Sequence, residues 1–474
     1  MRNEMRNVSP TGINSVPITS GKNGNYTWGI RGLGNLVLLI GVICVICGFS
    51  STVFANAVSV SNVRRTDIGG GLATVEFRLA QQNPFGNVSF DSVAFSDYIW
   101  VFVKFSETSG ADGSWRHATL AAGGTVTPVT DNLGAFIRAS DAGPAGANFT
   151  LRWNYSADSV AAINSNTRIK VAVTEMVDVP TGSFIYDAGG IGGSTFNNYG
   201  AGSAITVSAT TDIPTGASAG WPNGYTGFYL AKYEISQQQY CDFLNTISST
   251  DATSRYDATL YNTYGYLITY TGAAPYGNRY STAAQNRGCN FLSWDDCLAY
   301  NSWAALRPMT EMEYEKAARG GNQAGANART YPWGNTEPVS PTATIDGGTH
   351  SLYYANYGNI AGGEKPILVG WYLSQNYAAS NPAVTGASVY GIADLAGNVW
   401  EHLVNCDWAT VPLNGNGTTT WPASWPGAAA GKGLRGSNWG SDDAVSLRVS
   451  DRSNAGWANA GRSSSVGIRP ARTK

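Results

Sequence analysis

The sequence predicts an α+β fold in which a strand-rich N-terminal part precedes a part with few helices and short strands. Residues 58–177 contain stretches in which apolar and polar side chains alternate, a pattern typical of half-buried strands. Residues 178–474 contain helix-capping sequences separated by glycine- and aromatic-rich segments. Charged residues make up only 13% of the chain, about half the usual share of roughly 25%. Low charge with many turn-forming residues favours a loop-rich extracellular protein.

The first folded region, 58–177, is expected to be an antiparallel β-sandwich. Apolar and polar residues alternate at 73–79, 100–105 and 168–175. Turn-forming residues lie between these stretches, as in the Ala-Gly-Pro-Ala-Gly sequence at 142–146. Several short strands with such turns over about 120 residues are typical of a sandwich.

The second region, 178–474, is expected to contain three helices that begin at capping residues. A side-chain oxygen at the cap accepts a hydrogen bond from the first turn, and an acid three residues later can complete a capping box. Apolar residues at i, i+3, i+4 and i+7 follow the first cap, which predicts one buried face. The second helix is expected to run through Ala305, and Gly320 is expected to end the third. The caps are Ser236, Ser293 with Asp296, and Thr310 with Glu313.

The N-terminal residues 1–57 are expected to be a targeting segment. Basic residues precede an uncharged apolar run from Leu36 to Phe49, which is shorter than the about 20 residues that span a membrane. Residues 55–57 read Ala-Asn-Ala, a small-x-small cleavage pattern, so the mature chain is expected to begin at Val58. An uncleaved anchor is the alternative. We therefore expect a secreted or envelope-exposed protein that contacts a membrane only through an uncleaved leader.

Charge and cysteine content narrow the possible classes further. The net charge is −2, so the chain lacks the basic footprint of a nucleic-acid-binding protein. Four cysteines follow the leader, an even number in an oxidising compartment. Structural disulfides and buried free thiols are both open alternatives for them. These cysteines are Cys241, Cys289, Cys297 and Cys406.

Three unusual strings carry a resemblance to a known family. They read LRPMTEMEYEKAARGG at 306–321, GIADLAGNVWE at 391–401 and LRGSNW at 434–439. In this order they resemble the signature blocks of the sulfatase-modifying-factor family, which includes the formylglycine-generating enzyme. The resemblance covers roughly 178–472 and implies a C-type-lectin-like fold there. Function needs separate evidence from the site, since a fold alone does not give it.

The resemblance also implies a copper-binding thiolate pair two and seven residues after the aromatic residue of the closing block. That aromatic is Trp439, and counting from it gives Ser441 and Ser446; no cysteine follows Cys406. Cu(I) requires soft thiolate ligands, which hydroxyls cannot replace. We therefore expect no copper and no cysteine-oxidising activity.

Non-haem iron is the other metal found in enzymes that share this fold. His350, His402 and Glu401 could form a site with two histidines and one carboxylate. The histidines do not have helical ligand spacing, and the sequence contains no separate helical domain to hold iron. We therefore expect no iron, and we expect His402 to be a packed residue that follows Trp400.

A structural calcium site is expected in the turn at 391–401. Calcium binds hard oxygens from carboxylates and backbone carbonyls on a tight turn. Asp394 and Glu401 can supply two carboxylates, and Gly397 and Val399 can supply two carbonyls. The resemblance implies an ion at the matching positions. The alternative is a charged turn in which Glu401 pairs with a nearby arginine.

The closing segment from Gly433 to Arg472 is expected to present a ligand-binding face. Arginines and other framework residues alternate there with small polar residues, and Ser, Gly, Asn and aromatics are typical of adaptable recognition surfaces. The segment resembles the variable region of retroelement-diversified proteins. Trp439 and Trp457 are the expected aromatic anchors. The candidate residues are Asn438, Trp439, Ser441, Asp442, Asp443, Ser446, Asp451, Ser453, Asn454, Trp457 and Asn459.

These features predict a non-catalytic binding or display protein with calcium as a structural ion and a protein or glycan at the cell surface as its partner. Loops on a rigid scaffold commonly carry such recognition. One alternative is a structural or adhesive extracellular protein that self-assembles. The other is a metal-dependent oxidase of the formylglycine-generating or non-haem-iron type.

Overall fold

The computed structural model describes residues 58–82, 88–90, 93–187, 204–321, 329–335, 337–338, 355–358, 364–375, 385–410, 425–427, 431–441, 444–457, 459 and 461–474. The expected leader lies outside these residues. Among the residues described, no helix is both long and apolar enough to cross a membrane.

The described residues form mostly short elements. The strands are β1 (Val58–Gly69), β2 (Leu72–Gln81), β3 (Val88–Phe90), β4 (Val93–Phe95), β5 (Asp97–Ser106), β6 (Arg116–His117), β7 (Leu120–Ala121), β8 (Ala135–Arg138), β9 (Ala147–Asn154), β10 (Arg168–Val179), β11 (Phe184–Asp187), β12 (Ala204–Val207), β13 (Phe228–Ala231), β14 (Ile268–Tyr270), β15 (Tyr280–Thr282), β16 (Arg307–Thr310), β17 (Trp400–Val404), β18 (Lys432–Arg435), β19 (Val466–Ile468) and β20 (Pro470–Thr473). The helices are α1 (Ala139–Ala142), α2 (Gln237–Leu244), α3 (Ser249–Arg255), α4 (Trp294–Trp303), α5 (Glu311–Arg319) and α6 (Trp371–Gln375), with a 3₁₀ turn at Ala258–Leu260.

One large mixed sheet runs through both halves of the described chain. Its strand order is β18-β17-β16-β20-β13-β10-β5-β6, with β19 on β17 and β8 on β5. The pairs β16–β17 and β17–β19 are parallel. A second sheet has the order β1-β2-β9-β7. A strand-rich architecture with a few short helices confirms the predicted α+β class.

Strand β5 contributes side chains to two different cores. Its odd-numbered residues, such as Val101 and Val103, join an apolar cluster with β2 and β9 residues such as Val75. Its even-numbered residues Trp100 and Phe102 join a second cluster with the helices of the C-terminal half. Successive side chains of a strand point to opposite faces, so a strand buried on both faces joins the two cores.

The expected domain boundary at 177/178 falls inside strand β10. This strand pairs with β5 from Arg168 to Val177 and with β13 from Met176 to Val179. Since the two pairings overlap, the backbone hydrogen bonding of the sheet continues across the boundary. The division into a sandwich and a second domain stays a prediction.

The three predicted helix starts are confirmed. Ser236, Ser293 and Thr310 each accept a hydrogen bond from the backbone three residues on and form complete capping boxes. Helix α4 ends at Trp303, slightly before the expected end at Ala305. Gly320 follows α5 with a φ of 94°, a conformation that favours glycine. These signals are local, which is why sequence patterns locate them.

A buried group of charges lies where β5, β10 and β13 meet. The Nζ of Lys232 lies 2.5 Å from Oδ2 of Asp97, and both side chains are almost fully buried. The Nε2 of Gln81 donates to the buried carboxylate of Glu175. Burial raises the pKa of Glu175 from 4.5 to about 7, although Lys232 and Gln81 act in the opposite direction. Glu175 therefore binds its proton more tightly in the folded chain than in the unfolded chain.

The substitution Glu175→Gln should flatten the pH dependence of stability. Because the folded pKa is raised, the stabilisation from Glu175 is complete below about pH 4.5 and is lost as the pH rises through 7. The shift corresponds to about 3 kcal/mol. Urea unfolding between pH 4.5 and 8 should show a smaller fall in the free energy of unfolding for the variant. Substitution of the exposed Glu76 by Gln is the control. If the free energy of unfolding changes with pH equally in both variants, Glu175 does not have the raised pKa.

Candidate functional site

The closing segment is held by buried arginines that reach helix α5. Arg435 on β18 places Nη1 2.8 Å from a Glu311 oxygen and Nη2 2.8 Å from a Glu315 oxygen. Arg452 places Nε 2.5 Å from Glu311. All four side chains are buried, and Arg319 on the helix adds a 2.7 Å pair to Glu315. These contacts hold Arg435 and Arg452, between which most of the predicted ligand face lies in the chain, against the helix.

Electrostatics favour the ionised form of Glu311 in spite of its burial. Burial by itself would raise the pKa of Glu311, but Arg452 and Arg435 outweigh it and the pKa is lowered. The guanidinium of Arg435 also lies 4.8 Å from the ring centre of Tyr314. Opposite charges within hydrogen-bond distance favour the charged forms. Without Arg435, Glu311 would keep only Arg452 and Glu315 only Arg319, so two buried carboxylates would lose part of their compensation.

The two serines at the implied thiolate positions come together in the fold. The Oγ of Ser437 lies 2.6 Å from Oγ of Ser441 and 2.9 Å from Oγ of Ser446. The amide of Asn438 also donates to Ser441 over 3.1 Å. Ser437 is buried, whereas Ser441 and Ser446 are half-buried. The site thus consists of hydrogen-bonded hydroxyls, which are hard and neutral groups without the softness that Cu(I) requires.

The structure places the predicted ligand-face residues at different depths. Ser453 and Asn459 are exposed, and Asn438 and Asn454 are half-buried. Trp457 is exposed at 36%. Asp442 and Asp443 lie outside the described residues. These depths divide the predicted face into exposed and supporting residues.

Two of the residues expected to face outward are buried instead. Trp439 is only 6% exposed, because its ring stacks on Tyr264 at 5.3 Å and its Nε1 donates to the Ser464 carbonyl. Asp451 is 4% exposed, and its carboxylate accepts from the backbone and hydroxyl of Ser453. Trp439 therefore supports a surface residue, Tyr264, rather than forming the surface itself.

Sequence reasoning missed a group of exposed tyrosines next to this region. Seven tyrosines occur within 256–280, and four of them are among the exposed large hydrophobic side chains of the described residues. Only the density of tyrosine could have indicated them, because the contact between Tyr264 and Trp439 joins segments about 175 residues apart in the chain. The four are Tyr261, Tyr264, Tyr270 and Tyr276.

In the 391–401 turn, Glu401 pairs with an arginine, which is one of the two alternatives that the sequence left open. Arg469 donates from Nε to Oε1 of Glu401 over 2.7 Å and from its two Nη atoms to the carbonyls of Ala231 and Ala393. The carboxylate of Asp394 accepts from the Gly370 amide. One arginine thus joins β13, the turn and β17.

A third buried carboxylate, Glu234, lies beside this turn. It accepts from the Asn398 amide over 2.7 Å and from the Val399 backbone over 3.1 Å. Burial raises the pKa of all three acids: Asp394 to about 6, Glu401 to about 7 and Glu234 well above its usual value. Arg469 favours ionisation of each of them, but it is a single cation beside three acids.

The same turn can be tested for its fit to calcium. Oε2 of Glu401 is buried without a hydrogen-bond partner among the described residues. This buried carboxylate oxygen and the excess of carboxylates around the turn suit a hard cation. Gly397 has a φ of 84°, and a Cβ there would meet the Asn356 carbonyl at 2.5 Å. Within the described ranges, however, no three His, Cys, Asp or Glu side chains are grouped to hold a metal ion.

Among the residues that the structure describes, the remaining candidates for metal or thiol chemistry are buried. His402 faces the Leu292 carbonyl at 3.1 Å from Nε2, and burial lowers its pKa to about 4. His350 lies outside the described residues. The four cysteines are free and buried, and burial raises the pKa of each thiol. Of the two alternatives for the cysteines, the structure has free thiols, and such thiols are poor nucleophiles.

Comparison with known proteins agrees with the geometry of the fold. The family described as "Sulfatase-modifying factor enzyme 1-like domain" matches residues 161–474. This range is about two thirds of the chain and begins just before β10. The match includes every block that carried the resemblance and both arginine networks.

Individual relatives include enzymes and a protein named as inactive. A formylglycine-generating enzyme of Thermomonospora curvata is 33% identical over 135 residues, which cover 28% of this chain and 34% of the relative. A hercynine oxygenase of Mycolicibacterium smegmatis is 33% identical over 128 residues, which cover 27% of this chain and 21% of the relative. An inactive C-alpha-formylglycine-generating enzyme 2 of Bos taurus is 33% identical over 112 residues, which cover 23% of this chain and 30% of the relative. The chain spans about a third or less of the length of these relatives.

Replacing Arg435 with alanine should strongly destabilise the fold. The change leaves Glu311 and Glu315 with less compensation in a buried site, which typically costs about 3–5 kcal/mol. The control is Arg116→Ala, because Arg116 and its partner Glu107 are 46% and 40% exposed and such pairs contribute about 1 kcal/mol or less. Urea denaturation measures the free energy of unfolding of both variants. If Arg435→Ala and Arg116→Ala lose the same free energy of unfolding, the network does not have a central role in stability.

Proposed function

The chain belongs to the sulfatase-modifying-factor family, and from this premise we propose that it is a secreted or surface-exposed binding protein without oxidase activity. The observation that carries the proposal is the hydroxyl cluster of Ser437, Ser441 and Ser446. The resemblance implies two thiolates where Ser441 and Ser446 stand. Metal-dependent oxidation by the family's copper chemistry requires those sulfur atoms.

The remaining thiols support the same proposal. The cysteine before the closing segment, Cys406, is buried, and its Sγ lies 3.5 Å from the hydroxyl of Tyr186. Burial raises its pKa well above the usual value. A thiol of this kind does not ionise readily and is a poor metal ligand and nucleophile. The match to a relative named as inactive is consistent with a scaffold kept without its chemistry.

The ligand face that we propose combines the closing segment with the tyrosines. Tyr264 is 42% exposed and stacks on the buried Trp439, and half-buried Asn438 and Ser441 lie on either side of Trp439 in the chain. Rigid aromatic rings supply contact area with little loss of conformational entropy, and the amide and hydroxyl groups supply hydrogen bonds. This combination suits a glycan or a polar protein surface. A structural or self-assembling role is the second candidate, because exposed tyrosines also suit contacts between copies.

Calcium at the 391–401 turn is part of the proposal as a structural ion. Three buried carboxylates, Glu234, Asp394 and Glu401, share the positive charge of Arg469. A divalent cation would balance the excess negative charge, with the carboxylates of Asp394 and Glu401 and the carbonyls of Gly397 and Val399 as its ligands. It would stabilise the turn and supply no chemistry of its own.

Ligand binding should depend on Tyr264. Mature chain from Val58 onward, immobilised and probed with a glycan array and with cell-surface protein extracts, should capture a ligand that Tyr264→Ala loses by about tenfold or more, as expected for a central aromatic anchor. Tyr276→Ala is the matched control. Tyr276 has the same 42% exposure but packs against Arg279. Equal binding by both variants would refute this ligand face.

Oxygen uptake separates the binding proposal from the oxidase alternative. Purified protein supplied with Cu(I) or Fe(II) and a thiol peptide should consume no more oxygen than the metal alone. The double variant S441C/S446C is the positive control for metal binding, because it restores soft ligands beside Ser437. Metal-dependent turnover by the parent chain would overturn the proposal.

Calcium should raise the melting temperature, and chelation should lower it. Asp394→Asn keeps the size of the side chain and its contact with Gly370 but removes a charge, so the response to calcium should weaken or vanish. Glu76→Gln on the exposed face of β2 should respond like the parent. Calorimetry with and without a chelator measures the effect. A parent chain that melts at one temperature in both conditions would rule out the ion.

A further inference from the structure

A cleft with a volume of about 420 Å³ lies outside the three strings that carry the family resemblance. Its lining comes from the start of β1, the middle of β10, helices α2 and α4, and the segment after β15. This volume is within the range of about 300–1,000 Å³ that is typical of small-molecule sites. The strands contribute aliphatic side chains, whereas α2 and the segment after β15 contribute polar ones. The cleft therefore suits a ligand with an apolar end and a polar end.

The strands supply the aliphatic part of the lining. Val171 and Val173 lie two residues apart on β10, so their side chains point to the same face of the sheet. Val58 and Val60 are likewise two residues apart on β1. All four are half-buried and pack against the core that β2, β5 and β9 form. Their methyl groups therefore offer surface that the hydrocarbon chain of a ligand can cover.

Helix α2 supplies a carboxylate to the lining, that of Asp242. Tyr240 and Phe243 of this helix are buried, whereas Gln238 and Asp242 are half-buried. Positions i and i+4 are neighbours on a helix surface, and Nε2 of Gln238 donates to Oδ1 of Asp242 over 3.0 Å. This hydrogen bond orients the carboxylate. Its Oδ2 accepts from no donor among the residues that the structure describes, so this oxygen can receive a ligand.

The segment after β15 adds two side-chain amides. The backbone amide of Gln238 donates to the carbonyl of Gln285 over 3.1 Å, and the carbonyl of Asn286 accepts from the backbone of Val369 over 2.9 Å. These backbone bonds hold the segment at the start of α2. Gln285 is exposed and Asn286 is half-buried, and both line the cleft. The carbonyl oxygens of their side chains can accept hydrogen bonds from a ligand.

Lys170 on β10 acts on Asp242 through its charge. Its Nζ donates to the Gly277 carbonyl over 2.7 Å and lies 5.4 Å from the ring centre of Trp115. Burial raises the pKa of Asp242, and the hydrogen bond from Gln238 and the charge of Lys170 act in the opposite direction. A desolvated carboxylate of this kind is stabilised by a cation that enters the cleft, because an opposite charge favours its ionised form.

We propose that the cleft binds a primary alkylammonium ion, with the ammonium at Asp242 and the alkyl chain along the valines of β1 and β10. An ammonium has three N–H donors and no acceptor. One donor suits Oδ2 of Asp242, and the others suit the amide oxygens of Gln285 and Asn286. A hydrogen bond between charged groups is about twice as strong as one between neutral groups. The valines add the burial of hydrocarbon.

Other ligand classes fit this lining less well. A metal ion such as calcium binds about six to eight oxygens, whereas Asp242 is the one acid among the described residues that line the cleft. A sugar stacks on an open aromatic face, but Tyr300 and Trp303 are only 1% and 4% exposed. The proposal is independent of the proposed ligand face, because no lining residue belongs to the closing segment or to the exposed tyrosines.

Isothermal titration of the chain from Val58 onward with three ligands of one length tests the proposal. At about pH 8, n-hexylamine should bind, 1-hexanol should bind at least about tenfold more weakly, and hexanoate should not bind. The reason is that only the amine carries a charge opposite to that of Asp242. Binding of hexanol as tight as that of hexylamine, or no binding of hexylamine, would overturn the proposal. This comparison needs no variant, so it decides the matter even if a substitution prevents folding.

The substitution Asp242→Asn should weaken the binding of hexylamine by about tenfold or more, because the amide keeps the shape of the side chain without its charge. Asp295→Asn is the matched control. Asp295 is exposed on α4 and does not line the cleft, so this variant should bind hexylamine like the parent. Equal binding by the two variants would show that the ammonium does not lie at Asp242.

A chain that begins at Val53 controls for the chain terminus. When the chain begins at Val58, its α-amino group belongs to a residue that lines the cleft, and this group is itself an ammonium. Both chains should bind hexylamine with the same affinity. Binding by the longer chain alone would mean that the terminus occupies the carboxylate, and the proposal of a separate amine ligand would be wrong.

Discussion

The buried arginine–glutamate network between α5 and the closing segment is the interaction on which the rest of the candidate site depends. Arg435 and Arg452 reach across the fold to Glu311 and Glu315, which places the loop after β18 against a helix. Ion pairs of this kind contribute little net stability, but losing one partner is costly because it leaves a charge in a low-dielectric interior. The positions of Arg435 and Arg452 are therefore strongly constrained, although small polar residues such as Ser441 and Ser446 lie between them in the chain.

A second constraint joins the N-terminal strands to the family domain. Strand β5 presents Val101 and Val103 to one core and Trp100 and Phe102 to the other. The indole of Trp100 also donates to the Ala304 carbonyl beyond α4 over 2.8 Å. Because interiors are close-packed, a change on one face of β5 shifts the other. The N-terminal strands thus form part of the support of the helices.

The residues that stabilise the fold differ from the residues of the serine cluster and from the exposed tyrosines. The arginine networks and capped helices stabilise the framework of the fold. The residues at the implied thiolate positions carry no such requirement, so hydroxyls can stand there without disturbing the core. Exposed aromatic residues nearby, such as Tyr264, form the surface that we propose as a ligand face. Function on this fold follows the side chains at the site rather than the architecture.

The sequence by itself determined the features that depend on neighbours in the chain. Capping at Ser236, Ser293 and Thr310 needs only residues within one helical turn, and the signature blocks identified the family fold. Tertiary structure decided which groups meet across long separations: Glu401 with Arg469, Trp439 with Tyr264, and Ser441 with Ser446 through Ser437. A local pattern indicates which residues are polar or apolar. Their depth and partners depend on the packing of distant strands, which no single-sequence spacing encodes.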